Sequence, residues 1–178
     1  MLTQHRHPVC LSLMSYDLPL WSVVEGEATV YQKDAERFHL LMTEPLVQGM
    51  DGLEETGSGD RTGGQEAGQF PIANPTEANP TSATPRLLWL ELSPYRVIMT
   101  MQGNGKFSYR HYWEQGVYGT SRYWLQNDAV LQKPIRLRNF TRSLTLSGGE
   151  VPRQLRVEYE LWANQLAIGR YVLNLDLQ

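Results

Sequence analysis

The sequence predicts an all-β protein, an antiparallel barrel of about eight to ten short strands. Three observations carry that reading. Apolar and polar residues alternate through most of the chain, the period-two signature of half-buried strands. Turn residues recur roughly every 8–12 positions, the spacing of short strands following one another. No window of about eleven residues or more holds an apolar repeat near 3.6, so a helix would have no apolar stripe to bury.

At 178 residues the chain suits one domain with a real core, and its apolar share of 41% is ordinary. Near the N-terminus Val9, Leu11 and Leu13 alternate with Cys10, Ser12 and Met14. VVEGEATVY and FHLLM continue the pattern, with polar breaks between them. Residues 51–84 then interrupt every periodicity. Six glycines, three prolines and the near-repeat ANPTEANPT make this segment a poor core former with a high chain-entropy cost. It reads as a flexible acidic loop within a single domain spanning 1–178, because long surface loops cost little.

Alternation resumes in RLLWLEL, YRVIMTM and KFSYRHYW. The last two are joined by Gln102-Gly103-Asn104-Gly105, and Asn-Gly is a strong hairpin signal. VYGTSRYWL and PIRLRNFTRSLTL follow, then the terminal stretch LRVEYELWANQLAIGRYVLNLDLQ. In its first arm Leu155, Val157, Tyr159 and Leu161 share one face, opposite Arg156, Glu158 and Glu160. Ala163-Asn164-Gln165 supplies the turn. In the second arm Tyr171, Leu173, Leu175 and Leu177 face inward, and Val172, Asn174 and Asp176 face outward. So apolar a strand left as an open edge would invite aggregation. It is therefore expected to pair with an early strand and close the barrel, with Gly169 marking a bulge.

The terminal hairpin, strand-N-x-x-[apolar]-G-R-strand, resembles the ending of the YwiB-like bacterial proteins, a family of unknown function (domain of unknown function 1934). The segment QGNGKFSYRHYWEQG, the step from Trp113 to Gly116 and the lone Thr141 in NFTRSL are similar too. The resemblance covers roughly residues 7–48 and 85–178 and implies a calycin- or lipocalin-like barrel. The chain departs from the family's pattern at Gln102, where the family tends to have Arg, and at WLQND after Tyr123. The family lends no activity.

Charge is unevenly spread. Residues 1–50 carry 3 basic and 6 acidic groups, 51–84 carry 1 and 6, and 86–178 carry 12 and 7, giving −3, −5 and +5. The one cysteine, Cys10, excludes an internal disulfide and fits a reducing compartment. MLTQHRHPVCLSLMSYD has no unbroken apolar run, and no stretch approaches the roughly 18 apolar residues of a membrane helix. A cytoplasmic protein without a membrane partner is expected. Asn139-Phe140-Thr141 matches a glycosylation acceptor, which means little without export.

Few residues suggest chemistry. His5 and His7 form an H-x-H pair that Cys10 or His39 could extend, yet no local motif completes a metal site, and no metal is expected. Cys10 lies in a strand pattern as an ordinary small residue. GGQEAG lacks the Lys-[ST] ending of a phosphate loop, and neither G-x-S-x-G nor a carboxylate pair is present. No catalytic residue or cofactor is assigned.

Two faces remain. Tyr95, Val97, Met99 and Met101 on one strand and Phe107, Tyr109, His111 and Trp113 on the next would line an aromatic, methionine-rich interior with one imidazole. Small barrels are packed solid or hold one small ligand. The leading reading is a non-enzymatic barrel binding a small apolar or amphipathic molecule, with Tyr95, Met99, Met101, Phe107, Tyr109, His111 and Trp113 as its site. The lipocalin G-x-W opening is absent, since Trp21 follows Pro19-Leu20. The alternative is an interaction or single-stranded nucleic-acid-binding module acting through Lys133, Arg136, Arg138 and Arg142, with Phe140 interleaved. Glu158 and Glu160 on a neighbouring strand would offset that run. A solvated exterior is therefore expected there, and nucleic acid is not.

Overall fold

The computed structural model describes residues 4–44, 86–103, 107–125 and 133–178. They form ten strands and no helix: β1 (Gln4–Ser15), β2 (Trp21–Gln32), β3 (Phe38–Glu44), β4 (Arg86–Leu92), β5 (Arg96–Gln102), β6 (Phe107–Glu114), β7 (Tyr118–Leu125), β8 (Ile135–Gly148), β9 (Pro152–Ala163) and β10 (Leu166–Leu177). Each strand pairs antiparallel with the next in sequence, and β1 pairs with β10, which closes the barrel. The all-β reading and the closure both hold. The acidic segment 51–84 and the Asn104-Gly105 turn lie outside the described residues, although Gln102 faces Ser108 across the β5–β6 hairpin.

Closure follows from the pattern at the two ends. Val9, Leu11 and Leu13 of β1 stand opposite Leu177, Leu175 and Leu173 of β10. Each pair therefore shares the inner face, and the edge that would otherwise template aggregation is consumed. The two-residue turn before β10 is made by Asn164 and Gln165, with Asn164 at φ 55°. Asparagine tolerates that left-handed conformation better than most residues. Ile168 is the extra residue of a bulge, since pairing passes from Ala167–Trp162 to Gly169–Leu161. The bulge falls beside Gly169, as expected.

Inward positions are filled layer by layer. Leu40, Met42, Leu90, Leu92, Val97, Leu155, Val157, Leu173 and Leu175 are fully buried. That aliphatic mass holds the β1–β5 and β9–β10 part of the barrel together by apolar burial. The β6–β8 sector differs: alongside Leu137 and Leu144 it turns His111, Trp113, Ser121, Asn139 and Thr141 inward, and this asymmetry positions the candidate site.

One expected interior residue is not there. Tyr95 is 67% exposed and lies before β5 instead of within it. The cause is the turn from β4. Ser93 N–H donates to the Arg96 carbonyl (2.9 Å), and Arg96 N–H donates to Ser93 Oγ (3.0 Å). This closed turn over residues 93–96 starts the strand at Arg96 and turns Tyr95 out to solvent.

Candidate functional site

The two stripes expected to meet inside the barrel do so as cross-strand pairs. Val97 faces Trp113, Met99 faces His111 and Met101 faces Tyr109. Met99, Met101, His111 and Trp113 are buried, and Tyr109 is partly buried against the core. Phe107 opens β6 opposite Leu125. The rings are packed on one another. His111 stacks on Trp113 with centroids 4.9 Å apart and planes within 9°. Tyr109 and Tyr123 stand edge-on to the imidazole at 5.2 and 5.4 Å, and Tyr159 lies 5.0 Å from Trp113.

A polar group from three strands meets this aromatic wall. Ser121 of β7 faces His111, and its Oγ lies 2.8 Å from His111 Nδ1. Asn139 of β8 donates its Nδ2–H to the same Oγ, also at 2.8 Å. The serine oxygen has two lone pairs, so it accepts from the amide and pairs with Nδ1 in either imidazole tautomer, donating its O–H when the ring proton is on Nε2 and accepting when it is on Nδ1. Thr141 lies two residues further along the same inner face of β8. Ser121, Asn139 and Thr141 are all wholly inaccessible to solvent.

Burial governs the ionisation of this sector. It pushes the His111 pKa down to about 3, so the ring is neutral at physiological pH. It raises the Tyr123 phenol to about 12 and holds Tyr159 well above 10. An imidazole with so low a pKa is a weak base at neutral pH and activates Ser121 little. What the cluster offers is hydrogen bonding. Trp113 Nε1, Asn139 Oδ1 and Thr141 Oγ1 are buried and have no partner within the protein, whereas buried polar atoms are ordinarily satisfied.

Asn139 reaches this position because Gly119, its β7 partner, has no side chain. A Cβ at Gly119 would lie 2.6 Å from Asn139 Oδ1 and would collide with the Tyr112 carbonyl. Ser121, Asn139 and Thr141 were not among the expected site residues. Their signal was parity: in RLRNFTR the inward positions are Leu137, Asn139 and Thr141. Both Asn139 and Thr141 of the glycosylation tripeptide are enclosed, so the folded barrel does not present it.

The other candidates disperse. Arg142 forms an ion pair with Glu160, its Nε 2.6 Å from Oε1. Arg138 lies over the Tyr118 ring at 4.4 Å, and Phe140 packs on that ring at 4.9 Å. Lys133 and Arg136 are exposed. A register shift between Thr141 and Ser143 leaves Arg142 out of the regular ladder that carries Arg136 and Arg138. His5 and His7 are neighbours with centroids 6.1 Å apart, while His39 packs on Trp89. Among the described residues no group of three or more His, Cys, Asp or Glu could hold a metal ion. The Cys10 thiol pKa is raised by burial and by Glu25 and Asp176, the opposite of an activated nucleophile.

These features define a closed ten-stranded antiparallel barrel with a polar cluster inside. A solved structure, that of the ywiB protein from Bacillus subtilis, is similar to this chain with a TM-score of 0.56 and 9% sequence identity, covering 99% of this chain and 95% of the other. At that identity the likeness is one of fold. No family model matches the chain, and no curated protein matches it in sequence. Among the described residues no helix is long and apolar enough to cross a membrane.

Proposed function

We propose that this is a cytoplasmic, non-enzymatic binding protein, a calycin-like barrel of the YwiB-like kind, holding one small amphipathic molecule inside. One observation carries the reading: Trp113 Nε1, Asn139 Oδ1 and Thr141 Oγ1, all buried in one sector, lack protein partners. Leaving such groups unsatisfied costs about 1–3 kcal/mol each. A ligand's polar end would satisfy them, and Met99 and Met101 beside Tyr109 and His111 would pack against its apolar part. Ten strands enclose more space than eight, where side chains just fill the interior.

Native mass spectrometry of the purified protein tests this. The expected result is a retained small molecule that is absent from Thr141→Val. That variant should also melt at a higher temperature than ligand-free wild type, because it replaces an unpartnered hydroxyl with a methyl. A bare mass for wild type, together with no thermal shift from any amphiphile, would overturn the reading.

A further inference from the structure

The outer face of β6, β7 and β8 carries three arginines in direct register. Arg110 faces Arg122, and Arg122 faces Arg136. All three are exposed. Residues opposed across antiparallel strands lie about 4.5–5.5 Å apart at Cα, so the three charges fall within about 11 Å at the backbone. Their outward neighbours are Ser108, Tyr112, Thr120, Trp124 and Arg138, none of them acidic. Among the described residues none of the three arginines has a carboxylate partner. Elsewhere on the exterior three arginines are matched by carboxylates: Arg142 with Glu160, Arg156 with Glu158, Arg170 with Asp17. Directly opposed like charges destabilise a sheet. This row therefore lowers stability unless a polyanion neutralises it.

Aromatic surface flanks the charge. Following the register from Arg110 leads to Thr100, Trp89 and Leu41 on successive strands. Trp89 is 40% exposed and lines a groove of about 220 Å³ that also takes in Arg110 and, two residues along β4, Glu91. On the other side Trp124 stands two residues from Arg122 on the outer face of β7, half-buried. Cations that track a backbone, with indoles beside them to receive bases, are the means by which single strands are held.

We propose that this face binds single-stranded nucleic acid, with Arg110, Arg122 and Arg136 on its phosphates and Trp89 and Trp124 stacking its bases. The single strand is favoured over duplex because its bases are free to meet the indoles. The expectation of a merely solvated exterior concerned Lys133, Arg136, Arg138 and Arg142, offset by Glu158 and Glu160. Arg142 is paired with Glu160, and Arg110 and Arg122 extend a row from Arg136 that this expectation did not include.

Fluorescence anisotropy of labelled oligo(dT) and oligo(rU) of about 20 nucleotides tests the proposal at about 50 and 200 mM salt. Three phosphate contacts give a log–log salt slope near −2, a loss of about 20-fold across that range. The triple variant Arg110→Ser, Arg122→Ser, Arg136→Ser should bind at least about tenfold more weakly and melt no lower than wild type. If the triple variant fails to fold, Arg122→Ser, which removes the central charge, should still weaken binding severalfold. Trp124→Ala should weaken single-strand binding in the same way. Any of four results would overturn it: no binding at about 50 mM salt, undiminished binding by the arginine variants, tighter binding of blunt duplex, or equal binding of an acidic polypeptide, which would make the face a protein-docking surface.

Discussion

His111 and Ser121 face each other across β6 and β7 with Nδ1 2.8 Å from Oγ, an imidazole and a hydroxyl paired inside the barrel. The pair is locked neutral by burial, and that sets a pH dependence. The folded pKa of His111 is about 3, against about 6.5 when exposed. Between those values the unfolded chain binds the extra proton, so stability rises with pH through this window and is level in this term above it. Urea unfolding of wild type should lose up to about 1.4 kcal/mol per pH unit to this group as pH falls from about 6.5. His111→Gln should show a shallower slope over the same range. Parallel slopes for the two proteins would mean the imidazole is not enclosed.

Gly119 makes room for the cluster, so its substitution should be costly. Gly119→Ala brings a methyl onto the Tyr112 carbonyl and Asn139 Oδ1, and overpacking of this kind costs about 1–3 kcal/mol or more. Gly149→Ala meets nothing within 4 Å and should stay within about 0.5 kcal/mol. Thermal melts of the two variants check the contrast. A tolerated Gly119→Ala would mean that β7 does not approach β6 and β8 as closely as described.

The closing strand makes a test in alternation. Leu173 and Leu175 are fully buried and face Leu13 and Leu11. Leu175→Ala should cost about 2–5 kcal/mol, transfer and cavity together. Asn174 and Asp176 point outward, where they accept hydrogen bonds from Arg156 and Gln154 at the surface. Their alanine variants should stay within about 0.5 kcal/mol. Equal, small losses at Leu175 and Asn174 in urea titrations would place the closure in the wrong register.

The acidic segment should be dispensable for folding. Glu44 and Arg86 are partners in the β3–β4 ladder, so the two strand ends that flank it already lie side by side. Replacing residues 53–83 with a short Gly/Ser linker should shift stability by no more than about 1–2 kcal/mol. Calorimetry of the shortened chain gives the value, and failure to fold would show that the segment contributes to the core.

Period-two alternation by itself determined much of this protein: the all-β class, the inward faces of the fifth, sixth, ninth and tenth strands apart from Tyr95, and the pairing of the last strand with an early one. An apolar stripe has one place to go, which is the interior, and an apolar edge has one remedy, which is closure. Alternation assigns a face but names no neighbour. The meeting of Ser121, Asn139 and Thr141 with His111 depends on register across β6, β7 and β8, which inter-strand hydrogen bonds settle after folding. The row Arg110–Arg122–Arg136 arises in the same way, from residues 12 and 14 positions apart in sequence. Tyr95 shows the converse. Its place in the alternation was right for an inward residue, and the Ser93–Arg96 hydrogen bonds turned it outward.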